Sequence, residues 1–138
     1  VLAKNHRITR GAEYRATVRR GARFNGASTV AYVRFNRDSD VVRFGFIVSK
    51  AVGNAVVRNR VRRRLKAAAY DLLPRLAPAA IDGAGIDVVI RALPASAHLT
   101  WANLHGEVSG AADRFLSRHT TRPRDLGPRG TSEGNVRP

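Results

Sequence analysis

Apolar positions change period several times along the chain, and each change marks an element. Thr9 is placed to cap a helix over residues 10–20, where Tyr14 and Val18 share a face and Gly21 supplies the stop. Residues 28–36 alternate, with Ala31, Val33 and Phe35 on one side and Val30, Tyr32 and Arg34 on the other, as a half-buried strand requires. Residues 37–40 read as a turn. A second alternating stretch over 41–49 sends Phe44, Phe46 and Val48 one way and Arg43, Gly45, Ile47 and Ser49 the other, so an antiparallel hairpin is expected.

Val57, Val61, Leu65, Ala68 and Leu72 then recur at helical spacing, predicting a helix over 54–73 that stops before Pro74. Pro78, Gly83 and Gly85 punctuate a loop. Residues 86–92 are nearly all apolar and rich in β-branched side chains, the mark of a buried central strand. Thr100 can cap a last helix over 101–117, although Gly106 and Gly110 weaken it by roughly 1 kcal/mol each relative to alanine. From His119 the periodicity stops, so a single domain over 1–118 and a disordered basic tail over 119–138 are expected. The order α-β-β-(β)-α-β-α predicts an α+β two-layer sandwich with three helices on a small mixed sheet.

Composition sharpens this. Apolar residues make up 43% and charged residues 25%, as in folded globular proteins, and 138 residues suffice for one core without staples. The absence of cysteine removes disulfides, thiolate zinc sites and cysteine nucleophiles, in keeping with a reducing cytoplasm. No apolar run approaches the roughly 18 residues of a spanning helix, and the stretch after Lys4 and Arg7 is too polar for an export signal. The net charge of +15 points to a polyanionic partner. That charge is localised: residues 1–66 hold 17 Lys and Arg against Glu13, Asp38 and Asp40, while the remainder holds 8 against 7. One polyanion-facing surface built from the first half explains the asymmetry better than general solubility.

The densest stretch lies between Asn54 and Lys66. With the apolar stripe turned to the core, Arg58, Asn59, Arg60, Arg62, Arg63, Arg64 and Lys66 cover the remaining circumference without one carboxylate. Like charges three and four apart repel, so helix propensity does not account for the cluster, whereas a phosphate backbone does. Arginine suits the task because its planar fork can hold two phosphate oxygens or stack on an unpaired base. Lys50 and the free N–H groups of the helix start near Gly53 and Asn54 extend the same surface.

At this segment the chain resembles the protein component of bacterial ribonuclease P. The motifs are Arg58-Asn59-Arg60 on a helix, preceded by Val48-Ser49-Lys50 and Gly53-Asn54-Ala55-Val56. Around them stand Tyr14 in the first helix, Ala31-Tyr32-Val33 in a strand and Arg91-Ala92-Leu93-Pro94-Ala95-Ser96, so the likeness covers roughly residues 4–117. Val18, Ile47 and Ala51 depart from the residues common at their positions in the family. The resemblance implies an accessory subunit with no active site of its own, partnered by a catalytic RNA and by precursor tRNA. In such a holoenzyme RNA removes the 5′ leader, using magnesium bound mainly by the RNA and its substrate. The resemblance further implies that the Arg-Asn-Arg helix meets the catalytic RNA, and that a cleft between the first helix and the sheet takes the single-stranded leader. Tyr14, Val18, Tyr32, Arg34 and Ile47 would line that cleft, beside Lys50. A left-handed β-α-β crossover is expected from the family, against the usual handedness. Neither an obligate protein partner nor a membrane is implied.

Three other readings compete. An autonomous metal-dependent nuclease would need clustered carboxylates or histidines, and His6, His98, His105 and His119 lack ligand spacing. A ribosomal or other structural RNA binder would share the charge but not the ordered motifs. A helix-turn-helix DNA reader needs a helix shortly before the basic one, where two strands stand instead.

Overall fold

The computed structural model of the chain describes residues 2–80 and 84–120. Among these residues, three α-helices, α1 (Gly11–Arg20), α2 (Ala55–Leu76) and α3 (Trp101–Thr120), accompany four strands, β1 (Ala22–Asn25), β2 (Thr29–Asn36), β3 (Val42–Ile47) and β4 (Gly85–Ala92). The α+β class with a mixed sheet is as expected. The extra short strand, however, precedes the first long one instead of following the second. Residues 22–25 are too few to show alternation, yet Phe24 buries its ring and pairs β1 with β2.

The strand order is β1-β2-β4-β3, antiparallel except for the parallel pair β3 and β4. The expected hairpin between β2 and β3 therefore does not form. β4 inserts between them, because seven of its eight residues are buried and a strand so apolar on both faces needs a neighbour on each side. The 37–41 connection crosses over the start of β4, with Gly85 N–H donating to Ser39 O and Ile86 N–H to Val41 O. A Cβ at Gly85 would lie 3.0 Å from Val41 N and closer still to Val41 O, backbone atoms that cannot turn aside, so only glycine fits beneath the crossing.

Side-chain alternation gives the sheet two different faces. Ala31, Val33, Phe44, Val88 and Ile90 join Val61, Leu65 and Leu72 of α2 and Leu104, Val108 and Phe115 of α3 in the main core. Val30, Tyr32 and Val89 form a smaller cluster with Ile8 on the opposite face, partly roofed by Tyr14 and Val18 of α1. Sheet plus α2 and α3 thus make the two-layer body, and α1 lies across the outer face.

Element ends differ in detail from expectation. Thr9 does not cap α1, whose N-cap is Arg10 without a side-chain bond. Pro74 does not end α2: the helix runs on to Leu76, which is buried, and Arg75 pairs with Asp113 of α3. Proline removes its own N–H bond and crowds the carbonyl four residues before it, and packing of the next turn outweighs that cost. Thr100 does cap α3, accepting from Asn103 N–H at 3.1 Å. That helix extends past residue 117 to Thr120, and the tail expectation beyond it lies outside the described residues.

Candidate nucleic-acid interface

The basic surface is positioned by the passage from β3 into α2. Val52 is buried and anchors the turn, where Val52 N–H donates to Ser49 O and Gly53 N–H to Lys50 O. Gly53 takes a φ of 157°, and a Cβ there would lie 2.9 Å from Val57 Cγ1. Asn54 caps the helix, its Oδ1 accepting from Val57 N–H at 3.0 Å, so its side chain is engaged in holding the helix start. Val61, Leu65, Ala68 and Leu72 are buried as the spacing predicts, and Val57 packs at the core's margin.

Of the cations and amides singled out from the sequence, Lys50, Asn54, Asn59 and Arg63 are exposed, while Arg58, Arg60, Arg62, Arg64 and Lys66 are half-buried. Four of the guanidiniums rest on neutral acceptors. Arg58 donates to Gly53 O at 3.2 Å, Arg62 to Asn59 Oδ1 at 2.9 Å, Arg60 to Ala97 O at 3.1 Å and Arg64 to Leu99 O at 2.9 Å. Arg60 and Arg64 therefore lean against the 94–99 segment and do not stand free, a contact that no periodicity within the helix could reveal. On another side Arg63 and Lys66 share a shallow pocket with Leu2 and Arg7 of the N-terminal segment. Among the described residues none of these cations has a carboxylate partner. Each neutral bond uses one of five guanidinium donors and cancels no charge.

The outer face carries the remaining expected residues. Tyr14 lies over β3, its Oη accepting from Phe46 N–H at 3.3 Å. A Cβ on Gly45 would come within 2.6 Å of Tyr14 Cζ, so that glycine is what lets the ring approach the sheet. Val18 and Ile47 are half-buried around the same cluster, and Tyr32 is only 5% exposed. Tyr32 is thus packed in the sheet beneath α1, with Arg23 and Arg91 flanking its ring at 5.7 and 6.0 Å from the centroid. Both arginines are exposed on this face; Arg91 was named in the sequence only as part of the 91–96 motif, and Arg23 not at all.

Arg34 faces inward to a buried acid. Asp87, the third residue of β4 and fully buried, receives Asn36 Nδ2 at 2.8 Å, Arg43 Nε at 3.0 Å and Arg34 at 3.3 Å. Arg43 also reaches Glu13 of α1 at 2.8 Å, and Arg34 Nε donates to Thr17 Oγ1 at 3.1 Å. Burial works against the Arg43 charge, but its hydrogen bonds to Asp87 and Glu13 and their negative charges outweigh it and raise the pKa above the ordinary guanidinium value. This network fastens α1 to the sheet. The sequence offered a signal for it, since Asp87 is the one acid in an apolar strand and the register sets it between Arg34 and Arg43. Among the described residues no three His, Asp or Glu side chains gather where they could hold a metal ion.

The family model described as Ribonuclease P matches residues 2–116. The chain belongs to the ribonuclease P protein family. The ribonuclease P protein component of Clavibacter michiganensis is 44% identical over 116 residues, covering 84% of this chain and 97% of the relative. That of Pseudarthrobacter chlorophenolicus is 38% identical over 132 residues, covering 96% and 93%. The fold matches solved ribonuclease P proteins of Staphylococcus aureus, with a TM-score of 0.66 at 22% identity over 80% of this chain and 94% of that one. For Thermotoga maritima the TM-score is 0.61 at 18% identity over 78% and 96%. Membership in the ribonuclease P family places the chain in a nuclease-associated group.

Proposed function

We propose that the chain is the protein subunit of a ribonuclease P holoenzyme. In this reading the α2 face binds the catalytic RNA, and the outer face beside α1 takes the single-stranded 5′ leader of precursor tRNA. The protein assists RNA-catalysed removal of the leader and has no active site of its own. The observation that carries it is the α2 surface: six cations between Arg58 and Lys66 of a capped, well-anchored helix, without a carboxylate partner among the described residues. Such a field is repulsive within the protein and is relieved by a phosphate backbone.

The outer face suits an unpaired strand, since Arg23 and Arg91 stand exposed over an aromatic ring and Lys50 is exposed beyond the end of β3. Tyr14, Val18, Tyr32 and Ile47 give the apolar floor, and Arg34 supports it from within. Magnesium belongs, in this reading, to the RNA and its substrate. In this reading the protein works in the cytoplasm beside its RNA partners; among the described residues no helix is long and apolar enough to cross a membrane.

Reconstitution tests the proposal. The purified protein alone should leave precursor tRNA intact, and should restore processing by a cognate catalytic RNA at magnesium concentrations where that RNA alone is slow. Cleavage by protein without RNA would overturn the accessory reading.

A further inference from the structure

A second concentration of cations lies at the opposite edge of the sheet from β3. β1 ends the strand order, and among the described residues no strand pairs with its outer side, whereas Arg7 and Ile8 run along the outer edge of β3. Beside β1 passes the C-terminal part of α3, and together they line a shallow groove of Arg23, Phe24, Asn25, Arg114, Ser117 and Arg118. Arg114 and Arg118 stand one turn apart and reach the same ring, their guanidinium carbons 5.8 and 5.0 Å from the Phe24 centroid. Phe24 is itself fixed edge-on against Phe115 at 6.4 Å. Arg23 Nε donates to Asn25 Oδ1 at 2.9 Å. Among the described residues none of the three arginines has a carboxylate partner, although Asp113, next to Arg114 in sequence, pairs with Arg75 of α2.

We infer that this groove binds the phosphodiester backbone of an RNA strand, at a place separate from the α2 face. The inference rests on the RNA partnership proposed above. Bulk basicity does not explain the cluster, because residues 67–138 are nearly balanced at 8 cations and 7 acids. Two arginines four apart on a helix repel, and their stacking on one ring holds both heads ready, reducing the ordering cost of engaging successive phosphates. A peptide adding a strand to β1 would need apolar pockets on alternate sides, and this groove offers guanidiniums and amide groups instead. Arg75, level with Asp113, lies 17 residues beyond Arg58 on α2. The groove is therefore on the order of 25 Å from Arg58 along the helix axis, too far to share a phosphate.

The test compares Arg114→Gln with Arg118→Gln, the charge-retaining pair Arg114→Lys with Arg118→Lys, and the α2 pair Arg62→Gln with Arg63→Gln. For each, affinity for the catalytic RNA, and of the holoenzyme for precursor tRNA, is measured against salt. The glutamine pair in the groove should flatten the log–log slope for one of these RNAs by about 1.4 to 1.8, at roughly 0.7 to 0.9 for each phosphate no longer neutralised. The lysine pair should restore most of it. The chain has no cysteine, so an iron chelate on Ser117→Cys can report which RNA lies alongside. Strand cuts confined to the catalytic RNA or to the tRNA identify the source. If the groove pair leaves both slopes unchanged while the α2 pair flattens one, the groove is no RNA site and the proposed function stands. A lower melting temperature with unchanged slopes would reduce the arginines to a packing role, and an acidic peptide that binds the groove without competing with RNA would likewise overturn the inference. Should neither pair alter any slope, the RNA partnership itself fails.

Discussion

Asp87 shows how much a single side chain can hold. Its carboxylate is fully buried, and two arginines and an asparagine from the strands on either side surround it. Replacing it by asparagine keeps the volume but leaves Arg34 and Arg43, themselves 19% and 16% exposed, without their central counter-charge. Removing one partner of a buried pair costs about 3–5 kcal/mol, so Asp87→Asn should lower the unfolding free energy by that order in urea titration. A loss below about 1 kcal/mol would show that solvent already screens the network. Tyr32 belongs to the same face but is a poor probe of the leader, because its truncation would also open a cavity in the packed cluster. Arg91 is exposed over the ring and can be removed without that damage. Arg91→Ala should reduce the preference of the holoenzyme for leader-bearing precursor over mature tRNA. Equal losses for the two RNAs would count against a leader role for this face. Alternation correctly placed Tyr32 and Arg34 on one face; it was silent about depth, and so about the acid that Arg34 meets.

At the scale of elements, helix positions were legible and strand neighbours were not. Periodicity within α2 identified the buried stripe, since i, i+3 and i+4 neighbours are properties of one segment. Pairing is a property of the whole sheet. β2 and β3 are consecutive and antiparallel in sense, which reads as a hairpin until β4, far along the chain, takes the place between them. The same distance hides the bonds from Arg60 and Arg64 to the 94–99 carbonyls. In α3 the sequence pointed to weakness at Gly106 and Gly110, and the described residues show no compensating reason for either glycine: among them a Cβ at each meets nothing within 4 Å. Alanine at these positions loses less backbone entropy on folding, by roughly 0.5–1 kcal/mol each. Gly106→Ala with Gly110→Ala should therefore raise the urea midpoint at constant m-value. An unchanged or lower midpoint would mean that the helix is constrained at these turns by something other than its own packing.

For the whole molecule, the separation of charge along the chain becomes a division of labour among its surfaces. Residues 1–66 supply +14 and include the basic half of α2, while α3 and β4 contribute mainly to the core behind it. The α2 cations differ in what else they do, which makes the surface separable by experiment. Among the described residues Arg62 and Arg63 make no bond to backbone carbonyls, whereas Arg60 and Arg64 hold the 94–99 segment through Ala97 O and Leu99 O. Arg62→Gln with Arg63→Gln should flatten the salt dependence of catalytic-RNA binding by about 0.7 to 0.9 for each phosphate left without its cation, with the melting temperature unchanged. Arg60→Gln with Arg64→Gln should flatten it and also lower the melting temperature, because two carbonyls beside the helix lose their charged donors, at about 1.5–3 kcal/mol for each such bond. If the second pair changed stability alone, Arg60 and Arg64 would be structural clamps and the RNA surface would narrow to the exposed side of α2, with Arg63, Lys66 and the neighbouring Arg7.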